Sequence, residues 1–111
     1  MISEVAQVMN ILNAGGIPAI RAYPGQPIQA MTKPQAAVSI AQVDTQQVQV
    51  QVSVLSPAGL GGPACEDAAV KIGNLLKRLG TVCIDGPCGY DARCDMFCME
   101  LIISFTTQTA Q

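Results

Sequence analysis

Two runs of strict alternation constrain this chain more than any other feature. From Asp95 onward the odd positions Phe97, Met99, Leu101, Ile103 and Phe105 are apolar. The even positions Met96, Cys98, Glu100, Ile102 and Ser104 form a mixed set. Successive side chains of a strand point to opposite faces, so this run commits one face to a core and turns the other outward. It also carries both Phe residues of a chain with 4% aromatics, which puts it at the centre of the core. The second run, Gln46 to Leu55, is cleaner. Val48, Val50, Val52 and Val54 face inward, against Gln47, Gln49, Gln51 and Ser53 outward.

The remaining elements follow from periodicity and punctuation. Ser3 is read as a helix N-cap with Glu4 in the first turn, followed by an apolar stripe of Val5, Val8, Met9 and Leu12 that ends at Gly15-Gly16. Residues 17–23 read as a short extended piece. Pro24 to Pro34 reads as a long loop, because three prolines and a glycine do not fit a helix interior. Ala36 to Asp44 alternates around Val38 and Ile40 and predicts a hairpin with the Gln46–Leu55 run, turning at Asp44-Thr45-Gln46. After the breaker-rich segment 56–63 comes a helix with Pro63 near its start and Glu66 and Asp67 in the first turn. Its apolar face is Cys65, Ala68, Ala69, Ile72, Leu75, Leu76 and Leu79; Lys77-Arg78 fill the last turn and Gly80 stops it. Val82 to Ile84 starts a strand, residues 86–93 turn the chain, and 107–111 are expected to fray. The expectation is one α+β domain over residues 1–111, with a largely antiparallel four-stranded sheet and both helices on one face.

Half of the 111 residues are hydrophobic and 13% are charged, which is unusually uncharged for a solitary subunit. Depletion of charge is what the middle of a protein interface shows. The cations Arg21, Lys33, Lys71, Lys77, Arg78 and Arg93 are scattered and form no stripe to neutralise phosphates, so specific nucleic-acid binding is not expected. The first residues lack a basic leader pattern, and no apolar run approaches a membrane span. Synthesis and retention in a reducing cytoplasm are expected, with no membrane partner.

Chemistry has little to work with. No His is present, so neither a Ser/His nor a Cys/His pair exists, and no enzyme is expected. Asp85, Asp91, Asp95 and Glu100 cluster near one turn and read as solvated loop charges. Of the five cysteines, Cys83, Cys88, Cys94 and Cys98 are spaced C-x4-C-x5-C-x3-C, unlike the tight pairs of structural zinc sites. On one strand Cys94 and Cys98 would sit roughly 13 Å apart at ~3.3 Å per residue, too far to share an ion. Disulfides Cys83–Cys94 or Cys88–Cys94 are within geometric reach, but free thiols are the expectation. Cys65 reads as a core residue of the second helix. The Gly-rich segment before that helix lacks a phosphate-loop pattern, and Glu66 and Asp67 oppose an anion there.

The order of elements, the helix CEDAAVKIGNLLKRLG and the segment Tyr90-Asp91-x-Arg93-x-Asp95-x-Phe97 together resemble the small tail-terminator (tail-completion) proteins of tailed phages and prophages, over roughly Ser3 to Thr107. The resemblance is nearest to minor structural proteins of Gram-positive phage morphogenesis modules. It implies a structural subunit that closes into a six-fold ring, caps the tail tube, stops its polymerisation and offers the head connector or neck protein a docking face. It implies no cofactor, and a place in the virion tail after assembly in the host cytoplasm. The subunit or tube contacts it implies lie on the outward sheet face, Gln47, Gln49, Gln51 and Ser53, and on the long loop, Gln26, Gln29 and Met31. The density of cysteine departs from that pattern. Two other classes stand beside it: a small ligand-binding regulatory α+β module, and a thiol or zinc module built on Cys83–Cys98.

Overall fold

The computed structural model describes residues 2–23 and 31–106. Residues 24–30 of the expected loop 24–34 and the fraying expected at 107–111 lie outside them. Helix α1 (Ser3–Ala14) leads to strands β1 (Ala19–Arg21), β2 (Gln35–Val43) and β3 (Gln47–Pro57). A 3-10 turn (Ala58–Leu60) then introduces α2 (Gly62–Leu76), followed by β4 (Thr81–Ile84), β5 (Gly89–Asp91) and β6 (Met96–Thr106).

The two alternating runs become the central pair of the sheet. β3 and β6 are antiparallel from Gln47 opposite Thr106 to Pro57 opposite Met96. The expected hairpin forms between β2 and β3. Asp44 closes it, its Oδ1 accepting the backbone N–H groups of Gln46 (2.8 Å) and Gln47 (2.7 Å). Ala41 is the extra residue of a bulge in β2, between the pairs Ile40–Val50 and Gln42–Gln49.

The sheet is six-stranded and mixed rather than four-stranded and antiparallel. β1 adds at one edge parallel to β2, from Ala19 opposite Ala36 to Arg21 opposite Val38. At the other edge β4 and β5 lie end to end along β6. The Asp85 N–H bonds the Glu100 carbonyl at 2.8 Å and Gly89 pairs with Cys98, so Gly86–Cys88 bulge out opposite Met99. The extra strands are three residues long, too short to show an alternation. What creates them is the edge of a longer neighbour with unpaired N–H and C=O groups.

Both helices pack on one face, as expected. Val5, Val8 and Leu12 of α1 and Cys65, Ala69, Ile72 and Leu76 of α2 share a core with Val38, Val48, Val50, Val52, Val54, Leu101, Ile103 and Phe105. Burial of each large aliphatic side chain there contributes about 1.5–3 kcal/mol. The helices touch closely at Gly15, where a Cβ would stand 2.6 Å from Leu75 Cδ1. Ser56 is the one buried polar side chain among the described residues, and its Oγ has no hydrogen-bond partner.

Three local expectations change. Ile2, not Ser3, occupies the N-cap of α1, and no side chain caps it. Ser3 is already helical, and its hydroxyl accepts from Gln7 Nε2 at 3.3 Å. α2 starts earlier than Pro63, at Gly62, so Glu66 and Asp67 fall beyond its first turn. It ends at Leu76 with Lys77 as its cap, so Arg78 and Gly80 lie outside it.

Candidate subunit interface

The helices cover the valine face of β3. The opposite face carries Gln47, Gln49, Gln51 and Ser53, all half-buried. Cross-strand register aligns Ala37, Ser53 and Glu100 in one row, and Ser39, Gln51, Ile102 and Cys83 in the next. Gln49 follows, with its amide 3.4 Å from Ser104 Oγ. Glu100 is therefore a mid-strand group and not the loop charge expected for it. Its Oε1 accepts from Gln51 Nε2 and from Ser53 Oγ, both at 2.6 Å. The charge is thus held by neutral donors on a half-buried surface.

One end of this outer face is already covered by its own chain. Ala37, Leu55 and Met96 are buried there, with Ala22, Met31, Cys94 and Cys98 packed against them. Met31 therefore contributes to packing within the subunit. Gln26 and Gln29 lie outside the described residues.

Between the covered end and the open rows is a cleft of about 540 Å³, lined by Arg21, Tyr23, Ser53, Asp91, Cys98 and Glu100 among others. Arg21 forms one wall. Its guanidinium lies over the Tyr23 ring, 4.2 Å from the centroid. Its Nη1 donates to the carbonyls of Ala22 and Val38, the latter at 3.2 Å. Asp91 forms the opposite lip and pairs with Arg93 at 3.2 Å. The Arg93 side chain and N–H hold the Asp91 carboxyl below the usual carboxylate range. Beyond it the Tyr90 hydroxyl donates to Asp95 at 2.6 Å, which raises the tyrosine pKa. Asp95 takes φ 54°, the left-handed conformation that short polar side chains tolerate in turns.

All five cysteines are free thiols. Cys65 is buried and donates weakly to the Val54 carbonyl at 3.7 Å. Burial, with the Cys88 thiol beside it, pushes its pKa up to about 12. Burial likewise lifts Cys98 to about 11, with Cys94 next in effect. Cys94 lies in the turn before β6, not on the strand. It and Cys98 border the same small apolar cluster, so the strand-spacing argument for their separation does not hold. Among the described residues no three His, Cys, Asp or Glu side chains group so as to hold a metal ion.

No protein-family model matches the sequence. Comparison with curated proteins gives no match. Among the described residues, no helix is long and apolar enough to cross a membrane.

Of the residues singled out in the sequence, the fold brings Gln47, Gln49, Gln51 and Ser53 onto one surface. Arg21, Tyr23 and Asp91 join Gln51, Ser53 and Glu100 at the cleft without having been foreseen there. Gln51 and Ser53 were legible from the β3 alternation and Glu100 from its even position in the β6 alternation. Arg21, Tyr23 and Asp91 reach the cleft through β1 and β5, whose pairing has no trace in the local pattern.

Proposed function

We propose that this chain is a structural subunit of a phage tail, a tail terminator or closely related neck protein that closes into a ring on the tail tube and presents a surface to the head connector. One observation carries this reading. One whole face of the sheet has no helix on it, and apart from Glu100 and the cleft residues Arg21 and Asp91 its open rows are Gln, Ser, Thr, Cys and Ile, with no lysine among them. A sheet face that stays in water normally carries charge, while a low-charge, hydrogen-bonding face suits contact with another protein. Further support comes from exposed apolar side chains on the sheet edges, Ile20 at 40% and Ile84 at 59%. A six-fold ring, the tube protein and the connector are the partners of this reading, and the virion tail is its location.

Gln49→Lys is the test. Gln49 lies two rows from Glu100, so a lysine there adds a charge to an uncharged row of the face, whereas Gln51→Lys would sit against Glu100 and neutralise it. The variant should fold normally, since surface changes usually cost under ~0.5 kcal/mol. It should fail to close rings, read by light scattering and electron microscopy with and without tail tubes. A wild-type chain that stays monomeric beside tube tips and never caps them defeats the reading.

The cleft beside Arg21 and Glu100 favours a second reading, a small ligand-binding regulatory module. That account requires a monomer whose melting temperature rises with a small zwitterionic or cationic ligand.

A further inference from the structure

The end of α2 and the middle of the outer sheet face carry opposite charges. On the side of α2 away from the sheet, Glu66 and Asp67 are exposed near the start, and Val70, Lys71, Asn74, Lys77 and Arg78 are exposed at helical spacing toward the end and in the turn after it, so the basic part of this stripe is its C-terminal end. Three of the six cations of the chain are therefore on this stripe. Among the described residues none of the three is in an ion pair. Val70, 62% exposed, supplies an apolar patch among them. On the opposite side of the subunit stands Glu100. Asp85 is its neighbour across β4–β6, through the N–H bond to the Glu100 carbonyl. The Glu100 carboxylate has neutral donors on Oε1 and no cationic partner among the described residues. Arg21, the cation in the cleft wall, is committed to two backbone carbonyls and Tyr23, and the exposed Arg93 pairs with Asp91 of the cleft lip.

We propose that copies of this chain pack head to tail, with the basic C-terminal end of α2 on one copy seated on the outer sheet face of the next, and Lys77 and Arg78 entering the cleft at Glu100. The inference rests on the assembly reading and names its two surfaces. Charge complementarity selects the occupant. A two-fold contact would set each patch against itself, placing Glu100 near Glu100 or Lys77 near Arg78. Only a heterologous contact brings the opposite patches together, and that is the contact a closed ring needs. Half-buried charge of this kind fixes orientation and register in assembly more than it adds raw affinity.

The test is a charge swap on the full chain. K77E/R78E changes two exposed side chains and should remain folded by circular dichroism. It should need at least about tenfold more protein to assemble, a loss of ~1.4 kcal/mol. Glu100→Lys should do the same, and Glu100→Gln, which keeps the acceptor oxygen, serves if the lysine variant unfolds. Mixed in equal amounts, Glu100→Lys and K77E/R78E should assemble again, because every contact in an alternating array is then complementary. Wild-type assembly should weaken as salt shortens the screening length from about 10 Å at 0.1 M to about 3 Å at 1 M. Rings that form despite both reversals, or folded variants whose mixture does not recover, overturn this pairing and leave the ring standing. No assembly of the wild type under any condition overturns both.

Discussion

Ser53 and Glu100 stand opposite each other on β3 and β6, and the serine hydroxyl donates to the carboxylate at 2.6 Å, on the same Oε1 that receives the Gln51 amide. The three groups knit the uncovered face across the central pair. Ser53→Ala leaves the charge with one donor. Hydrogen bonds to charged groups contribute about 1.5–3 kcal/mol when buried, and partial exposure lets water replace part of that. Urea denaturation should show a loss of about 1 kcal/mol with an unchanged slope. An unchanged midpoint would mean that water fully replaces the hydroxyl.

Gly80 was expected as a helix stop, but its position is set by β6. A Cβ on Gly80 would collide with the carbonyl oxygen of Ser104, a backbone atom that cannot swing away. Gly80→Ala should force β4 from β6 at Thr81–Ser104 and cost about 1–3 kcal/mol. Gly89→Ala, with nothing within 4 Å of the added carbon, is the control and should change little. Hydrogen exchange at the Thr81–Ile84 amides reads the detachment directly.

Ser56 is fully buried on β3 opposite Phe97, with its hydroxyl unpartnered. An unsatisfied buried donor costs about 1–3 kcal/mol. Ser56→Ala should therefore raise the melting temperature. In contrast, Val50→Asp and Leu101→Asp, at 0% and 1% exposure, bury an unpaired charge against a total stability of about 5–15 kcal/mol and should unfold the domain. Cooperative melting of either aspartate variant would contradict the assigned core face.

Stability should fall at both ends of the pH scale, for different groups. The Asp44 and Asp91 carboxyls are held below their ordinary 3.8, by the backbone N–H of Gln46 first and by the Arg93 side chain respectively. Their contribution is present above about pH 4 and lost as the medium drops through their folded values. Cys65 and Cys98 are raised to about 12 and about 11 from 9.0. Below pH 9 both states keep these thiols protonated. Above it the unfolded chain ionises first, so stability drains away up to pH 11–12. Melting curves from pH 3 to 11 check both limbs, and Cys98→Ser should flatten the alkaline one.

The same burial orders thiol reactivity. Exposed Cys83 should alkylate first and Cys65 last in the native protein, followed by mass spectrometry of labelled peptides. Chelator and reductant should leave the melting temperature nearly unchanged. A fall of more than about 10 °C in chelator would instead indicate a structural metal.

The alternations at Val48–Val54 and Phe97–Phe105 determined the central strand pair and its buried face, because each side chain position alone fixes which face it takes. The apolar stripes of α1 and α2 likewise determined which helix sides meet the sheet. What only the tertiary structure decided is what depends on long-range pairing. β1 and β5 exist because β2 and β6 offer them open hydrogen-bonding edges. Gly80 is required by a strand that follows far along the chain. Glu100 becomes a half-buried, hydrogen-bonded charge because β3 lays Ser53 and Gln51 beside it. Arg21 reaches the same cleft through a parallel edge strand. Local sequence encodes periodicity, while these relationships arise from which edges remain unpaired after the strongest strands have met.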